Sequence, residues 1–201
     1  MKKLISLLLL MSYSVIADDN EIYVDQVGAT ANIDLEQLGS GNIIGGLLST
    51  HGSMTPFDLD GTTMTLDVNQ IGNTYSADNS NVNVDVDGST NTFTLDLATN
   101  ALSSGADIDT IVQGDSNTVN IDLDVDSATN YIDLDGDSNT VNYDGDGYAS
   151  GYFKLEHDGN SRSFAVDQQS TLDNDWLRVI SSGNNGYVCV NQDDQGTSVG
   201  C

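Results

Sequence analysis

Along most of this chain apolar and polar residues alternate one by one. Val119, Ile121, Leu123 and Val125 are separated by Asn120, Asp122 and Asp124. A period of two sends successive side chains to opposite faces, so such runs predict strands with one buried and one wet face. Between the runs a turn recurs. The heptapeptide Gly-Asp-Ser-Asn-Thr-Val-Asn that begins at Gly114 returns unchanged from Gly136, an offset of 22 residues. Gly39-x-x-Asn42 and Gly88-x-x-Asn91 repeat its frame, each followed two residues later by an apolar residue, and Gly28, Gly72, Gly159 and Gly183 begin looser variants. Gly and Asn tolerate positive φ, which a tight reversal needs. Strand, turn and strand, with the turn returning at a fixed offset, make one coil of a repeat protein. The expectation is an all-β solenoid of coils about 22 residues long.

Glutamines share the parity of the apolar residues. Ile22 and Val24 lead to Gln26, and Ile33 and Leu35 to Gln37; the same arrangement precedes Gln70, Gln113, Gln168 and Gln192. Their parity points each side chain toward the core. A lone buried amide left unpaired costs about 1–3 kcal/mol, whereas one amide per coil stacks into a hydrogen-bonded ladder. The expected ladders comprise these six Gln with Asn42, Asn91, Asn117 and Asn139. Two small-residue stretches, 45–57 and 98–107, break the rhythm and read as loops or an irregular coil. Residues 148–201 keep the strand-turn-strand signal and read as final coils plus a cap, since a solenoid must cover an open end.

The amino end changes the compartment. Lys2 and Lys3 precede an apolar run over residues 4–11, and small or β-branched residues end at Ala17. That is a secretory leader with cleavage after Ala17, its core shorter than the roughly 20 residues of a membrane span. The division is therefore 1–17 leader, 18–147 acidic coils, and 148–201 final coils and cap, with no membrane insertion once the leader is gone. In an exported chain Cys189 and Cys201, the only two cysteines, form a disulfide by default. Closing that short loop contributes about 2–3 kcal/mol and pins the cap.

The formal charge of −26 excludes nucleic acid and anionic membrane surfaces as partners and leaves cations and basic groups. Asp at alternate positions forms rows on the wet face. Asp122, Asp124, Asp133, Asp135 and Asp137 are the candidate ligands for calcium, which takes oxygen donors in flexible geometry. Their spacing fits neither the EF-hand nor the glycine-rich β-roll nonapeptide. Screening by salt is the competing role for these rows, and no cofactor is required. Catalytic signatures do not assemble. His51 falls in a loop stretch, His157 takes a Gln-like core position, and no Gly-x-Ser-x-Gly elbow, Walker motif or zinc-spaced cluster occurs. Tyr23, Tyr75, Tyr131, Tyr143 and Tyr148 read as strand-surface or turn-packing residues before they read as sugar platforms.

Gln37-x-Gly39-x-x-Asn42, preceded by alternating apolar residues and recurring in part at Gln26, Gln70 and Gln113, resembles the curlin repeat of bacterial curli fibres. The resemblance implies a parallel β-solenoid with Gln and Asn ladders, and end-to-end polymerisation into extracellular amyloid-type fibres. The expected function is a secreted or cell-surface structural or adhesive subunit, not an enzyme, whose partners are further copies or another curlin-like subunit. The alternative is a monomeric capped solenoid that binds calcium, glycan or another surface ligand along one face.

Overall fold

A computed structural model describes residues 20–38, 42–45, 56–71, 80–97, 105–124, 127–147, 151–170 and 175–193. The leader, the segments around Gly39, Gly72, Tyr75 and Tyr148, His51 and Cys201 lie outside them. The described residues form sixteen strands and no helix. In chain order they are β1 (Asn20–Ile22), β2 (Asp25–Gly28), β3 (Ala31–Leu38), β4 (Asn42–Ile44), β5 (Phe57–Thr62), β6 (Met64–Ile71), β7 (Ser80–Ser89) and β8 (Thr92–Leu97). They continue as β9 (Ala106–Gln113), β10 (Thr118–Leu123), β11 (Thr129–Asp135), β12 (Thr140–Gly147), β13 (Tyr152–Asp158), β14 (Ser163–Ser170), β15 (Trp176–Ser182) and β16 (Tyr187–Asp193).

Every pairing is parallel and joins equivalent strands of successive coils. The first sheet has nine strands and runs β1-β4-β7-β9-β11-β13-β15, with β5 also paired to β7 and β2 paired to β5; the second has seven and runs β3-β6-β8-β10-β12-β14-β16. The two sheets stack face to face, as the single apolar cluster fed by both requires. Thr118 pairs with both Thr92 and Thr140, and Val119 with both Phe93 and Val141, so equivalent side chains form columns along the stack. The expected β-solenoid is the architecture observed. Its coils are less uniform than the 22-residue repeat suggested. Equivalent positions lie 33, 27, 26, 22, 23 and 24 residues apart from the amino end onward.

The 33-residue coil has a local cause. Ile44 pairs with Val82 and Phe57 with Val84, so only Asn83 stands opposite the segment between Ile44 and Phe57. Residues 46–55 of the expected loop lie outside the described residues, and the strand resumes in register at Phe57. The second rhythm break ends earlier than expected, because Ala106 and Asp107 already belong to β9. Strand pairing crosses the expected division between 147 and 148, since β12 pairs with β14 and β14 with β16. The coils continue to Asp193, and Cys201, which the cap would pin, falls outside the described residues.

The core is built from the alternation. Phe57, Leu66, Phe93, Leu95, Ile132, Phe153, Leu155, Phe164 and Val166 are essentially inaccessible to solvent. Tyr143 packs its ring on Phe153 at 4.1 Å and lies over Gly145, which stands where Leu97 and Leu123 stand in earlier coils.

Candidate functional site

Three features concentrate the polar chemistry: the arch joining the two sheets, the acidic outer faces, and the last rung. The arch starts from a column of glycines. Gly28 pairs with Gly61 and Gly61 with Gly88; the registers continue it through Gly114, Gly136, Gly159 and Gly183. At each of these from Gly61 onward, an added Cβ would meet the carbonyl oxygen of the preceding glycine in the column. Stacking at rung spacing therefore admits only glycine there. Two residues on, Thr63, Thr90, Ser116, Ser138, Ser161 and Asn185 hold φ between 58° and 64°. The sequence expectation gave positive φ to Gly and Asn of Gly-x-x-Asn; Gly takes it, but the second left-handed residue is the Ser or Thr before the Asn.

Two ladders lock the arches. Asn117 accepts a hydrogen bond on Oδ1 from the Asn91 amide at 2.9 Å and donates from Nδ2 to Gly88 O at 2.9 Å. Asn139 repeats this toward the Asn117 amide (2.8 Å) and Gly114 O (3.0 Å), and Asn91 toward the Met64 amide (2.9 Å) and Gly61 O (3.1 Å). Each buried amide thus bonds backbone one coil away instead of another amide. Outside it, Asp115 Oδ1 accepts from the Asp137 amide at 2.7 Å, Asp137 from Asn160 at 2.6 Å, and Asn160 from Asn184 at 2.9 Å. The residue after the arch glycine, expected only at Asp137 and there as a calcium ligand, is therefore a ladder residue in its own right. Its signal was present: Asp or Asn follows Gly114, Gly136, Gly159 and Gly183.

Asn42 is not part of the Asn ladder. It opens β4 in the first sheet, and its Nδ2 donates to Gln37 O at 3.5 Å, while Gln37 Nε2 donates to Ile43 O at 3.3 Å. The full Gln-x-Gly-x-x-Asn motif joins one coil to the next and is not an arch. The Gln ladder is likewise discontinuous. Gln37 pairs with Gln70 and Gln168 with Gln192, but Leu97, Leu123 and Gly145 occupy their column in between. Gln37 and Gln168 are buried, and neither Gln168 side-chain atom has a partner. Gln192 is exposed on the last strand, and Gln26 is half-buried on the first coil. Gln113 faces solvent, against expectation. It sits directly before the arch glycine, a position that points outward in every coil, whereas Gln26 lies two before it.

His157, one position further back than the arch glycine's neighbour, is buried as expected. Nε2 meets Gly136 O at 3.2 Å and Nδ1 meets Ser181 Oγ at 3.1 Å. Burial holds its pKa below the ordinary histidine value. That is a neutral structural ring bridging three successive coils.

The five candidate calcium ligands do not converge. Asp122 and Asp124 lie on the outer side of the second sheet, Asp133 and Asp135 on that of the first, and Asp137 in the arch. Among the described residues no group of three or more acidic, His or Cys side chains is arranged to hold a metal ion. The carboxylates form columns. Asp96, Asp122, Asp144 and Asp167 stack on consecutive rungs of the second sheet, and Asp25, Asp58 and Asp85 on the first. Burial, then Asp146, Asp167, Asp122 and Asp124, push Asp144 up to about 6; burial, then Asp87, Asp58 and Asp109, push Asp85 up to about 6. Asp122, Asp133, Asp146 and Asp58 are raised as well, burial leading in each. Beside the longer column runs a wet amide ladder, Asn142 to Asn120 at 2.8 Å and Asn120 to Thr94 at 3.5 Å. Together they floor a shallow trough of about 460 Å³.

The last rung, β15 and β16, breaks the burial pattern. Val190 is 43% exposed, whereas Val166 beneath it is wholly buried, and Tyr187 and Trp176 are exposed too. Trp176 stacks on Tyr152 at 4.2 Å, and next to them Lys154 lies over the Tyr131 ring at 4.7 Å and pairs with Glu156 at 3.0 Å. Comparisons of the chain with protein-family models, with curated proteins and with solved structures give no match.

Proposed function

We propose that this chain is an exported structural protein that acts at the cell surface or beyond it by associating with further copies of itself into fibres or a matrix. The carrying observation is the last rung: core-column residues such as Val188 and Val190 are exposed there, on strands that end their sheets among the described residues. Open edges of parallel sheets recruit further strands, and burying apolar columns drives the addition. Export rests on the leader at 1–17 and end-to-end growth on the curlin resemblance. The protein's role is mechanical and carries no catalytic step.

Incubating the mature chain with and without salt or calcium, followed by thioflavin fluorescence and electron microscopy, tests this. Fibres that form faster as salt screens the acidic columns are expected. A chain that stays monomeric in every condition refutes the reading. The acidic trough favours a second reading, a monomer that takes cations on the face holding Asp96, Asp122, Asp144 and Asp167. Calorimetric calcium binding by a monomer would select it.

A further inference from the structure

The two ends of the stack differ in charge and match in column. Beyond the leader the chain has three cations, Lys154, Arg162 and Arg178, and all lie on the last two coils. Arg178 is exposed on the last rung itself. The first coil has no cation and exposes Asp25, Asp34 and Glu36.

Following the registers from coil to coil puts first-rung and last-rung residues in the same columns. Val188 shares a column with Ile33, Val190 with Leu35 and Gln192 with Gln37; the Arg178 column runs to Asn83, and Tyr23 stands one residue after Ile22 as Asn83 stands one after Val82, in line with it. One rung placed on the other would therefore continue the columns of Val188 and Val190 with the apolar Ile33 and Leu35. It would also join the two separated Gln pairs into one run, Gln168-Gln192 on one copy and Gln37-Gln70 on the next. In the same column Lys154 already lies over Tyr131 from the adjacent rung. Arg178 over Tyr23 repeats that contact, with Asp25 two residues along the strand on the same face.

We propose that the occupant of the last rung is the first rung of a second copy, bound with fixed polarity and in the register that sets Arg178 over Tyr23 and Gln192 over Gln37. This rests on the self-associating reading above and adds direction and register to it. Two first rungs would confront Asp25, Asp34 and Glu36 with themselves, and like charges set opposite one another reject that pairing. Growth is then head to tail.

Cysteine trapping and charge reversal test it on the mature chain. Glu36 and Asn191 share an outward column, and paired Cα atoms about 5 Å apart lie within disulfide reach. The chain carrying both Glu36→Cys and Asn191→Cys is expected to give a bridge between positions 36 and 191 of different copies under oxidation. Peptide mapping distinguishes that bridge from those of Cys189 and Cys201. The pair Asp25→Cys with Asn191→Cys, on opposite sheets, is expected to give none. Arg178→Glu should slow elongation about tenfold, and adding Asp25→Arg should restore it. Fibres lacking the 36–191 bridge overturn the register, and R178E elongating at the unmodified rate overturns the polarity, both leaving self-association intact. A wild-type chain that never assembles removes both readings at once.

Discussion

Replacing Gly136 with alanine is expected to be among the most damaging single changes outside the apolar core. Gly136 holds φ at +135°, a region L side chains avoid at a cost of about 1–3 kcal/mol. The added Cβ would also fall 2.6 Å from the Gly114 carbonyl carbon, against backbone that cannot swing aside. Relief requires the Gly114 and Gly136 arches to part, which stretches the hydrogen bonds from the Gly114 N–H to Asp135 O (2.7 Å) and from Asn139 Nδ2 to Gly114 O (3.0 Å). At about 1 kcal/mol per bond, the whole loss comes to about 4 kcal/mol. Thr90→Gly is the matched control in the same kind of arch. Thr90 sits at φ 63°, where a β-branched residue is strained by about 1–2 kcal/mol, while glycine costs about 0.5–1 kcal/mol more chain entropy. A gain of about 0.5–1 kcal/mol is expected. Urea unfolding followed by the fluorescence of Trp176, the sole tryptophan, reads both. Gly136→Ala within about 1 kcal/mol of the parent would refute the stacked-arch account.

Asn117→Ala strands the buried Asn91 amide and Gly88 O, and should cost about 2–4 kcal/mol by the same assay, against under about 0.5 kcal/mol for Asn142→Ala on the wet face. Gln168→Leu restores the residue type of Leu97 and Leu123 and removes an amide with no partner, so a gain of about 1–2 kcal/mol is expected in chemical denaturation. Asp144 and Asp85 titrate near 6 in the fold and near 3.8 in the unfolded chain. A carboxyl with a raised folded pKa weighs against the fold while ionised, so stability rises as pH falls from about 7 toward about 4. After discounting for solvent screening, each contributes about 1 kcal/mol. Thermal melts across that window should show the melting temperature climbing on acidification and D144N flattening the climb; a melting temperature that falls steadily on acidification would contradict it.

What the sequence made legible is what a single coil decides for itself. Alternation placed Val119, Ile121 and Leu123 inward and Asn120 and Asp122 outward, and the structure follows it. Gln113 escaped because Ile111 and Val112 are adjacent and both apolar, so alternation alone leaves the parity of β9 open. The arch closes it: Val112, two before Gly114, is inward as Val86 and Leu134 are, and Ile111 turns out. Ser116 and Ser138 gave no sign of their left-handed backbone, because serine suits a turn in many conformations. Only the stacking of glycine on glycine shows which reversal the chain must make. The acidic residues read as one cluster because the sequence places Asp133 and Asp135 soon after Asp122 and Asp124, while the coil sends consecutive strands to opposite sheets.

The uneven coil lengths follow from the same division. From arch glycine to arch Asn the spacing is constant from Gly88 onward to Gly136, where both ladders bond one coil to the next. An inserted residue there would shift a glycine off its column and a buried amide off its acceptor. The described residues flanking Ile44–Phe57 and the returns from the second sheet to the first show no such stacked requirement. Length variation from 22 to 33 residues is therefore taken up away from the arches, and the registers on either side are untouched. Register in this protein is a property of the arch, so insertions in the returns should leave the stack intact, whereas a single insertion between Gly114 and Asn117 should disrupt the coils on both sides of it.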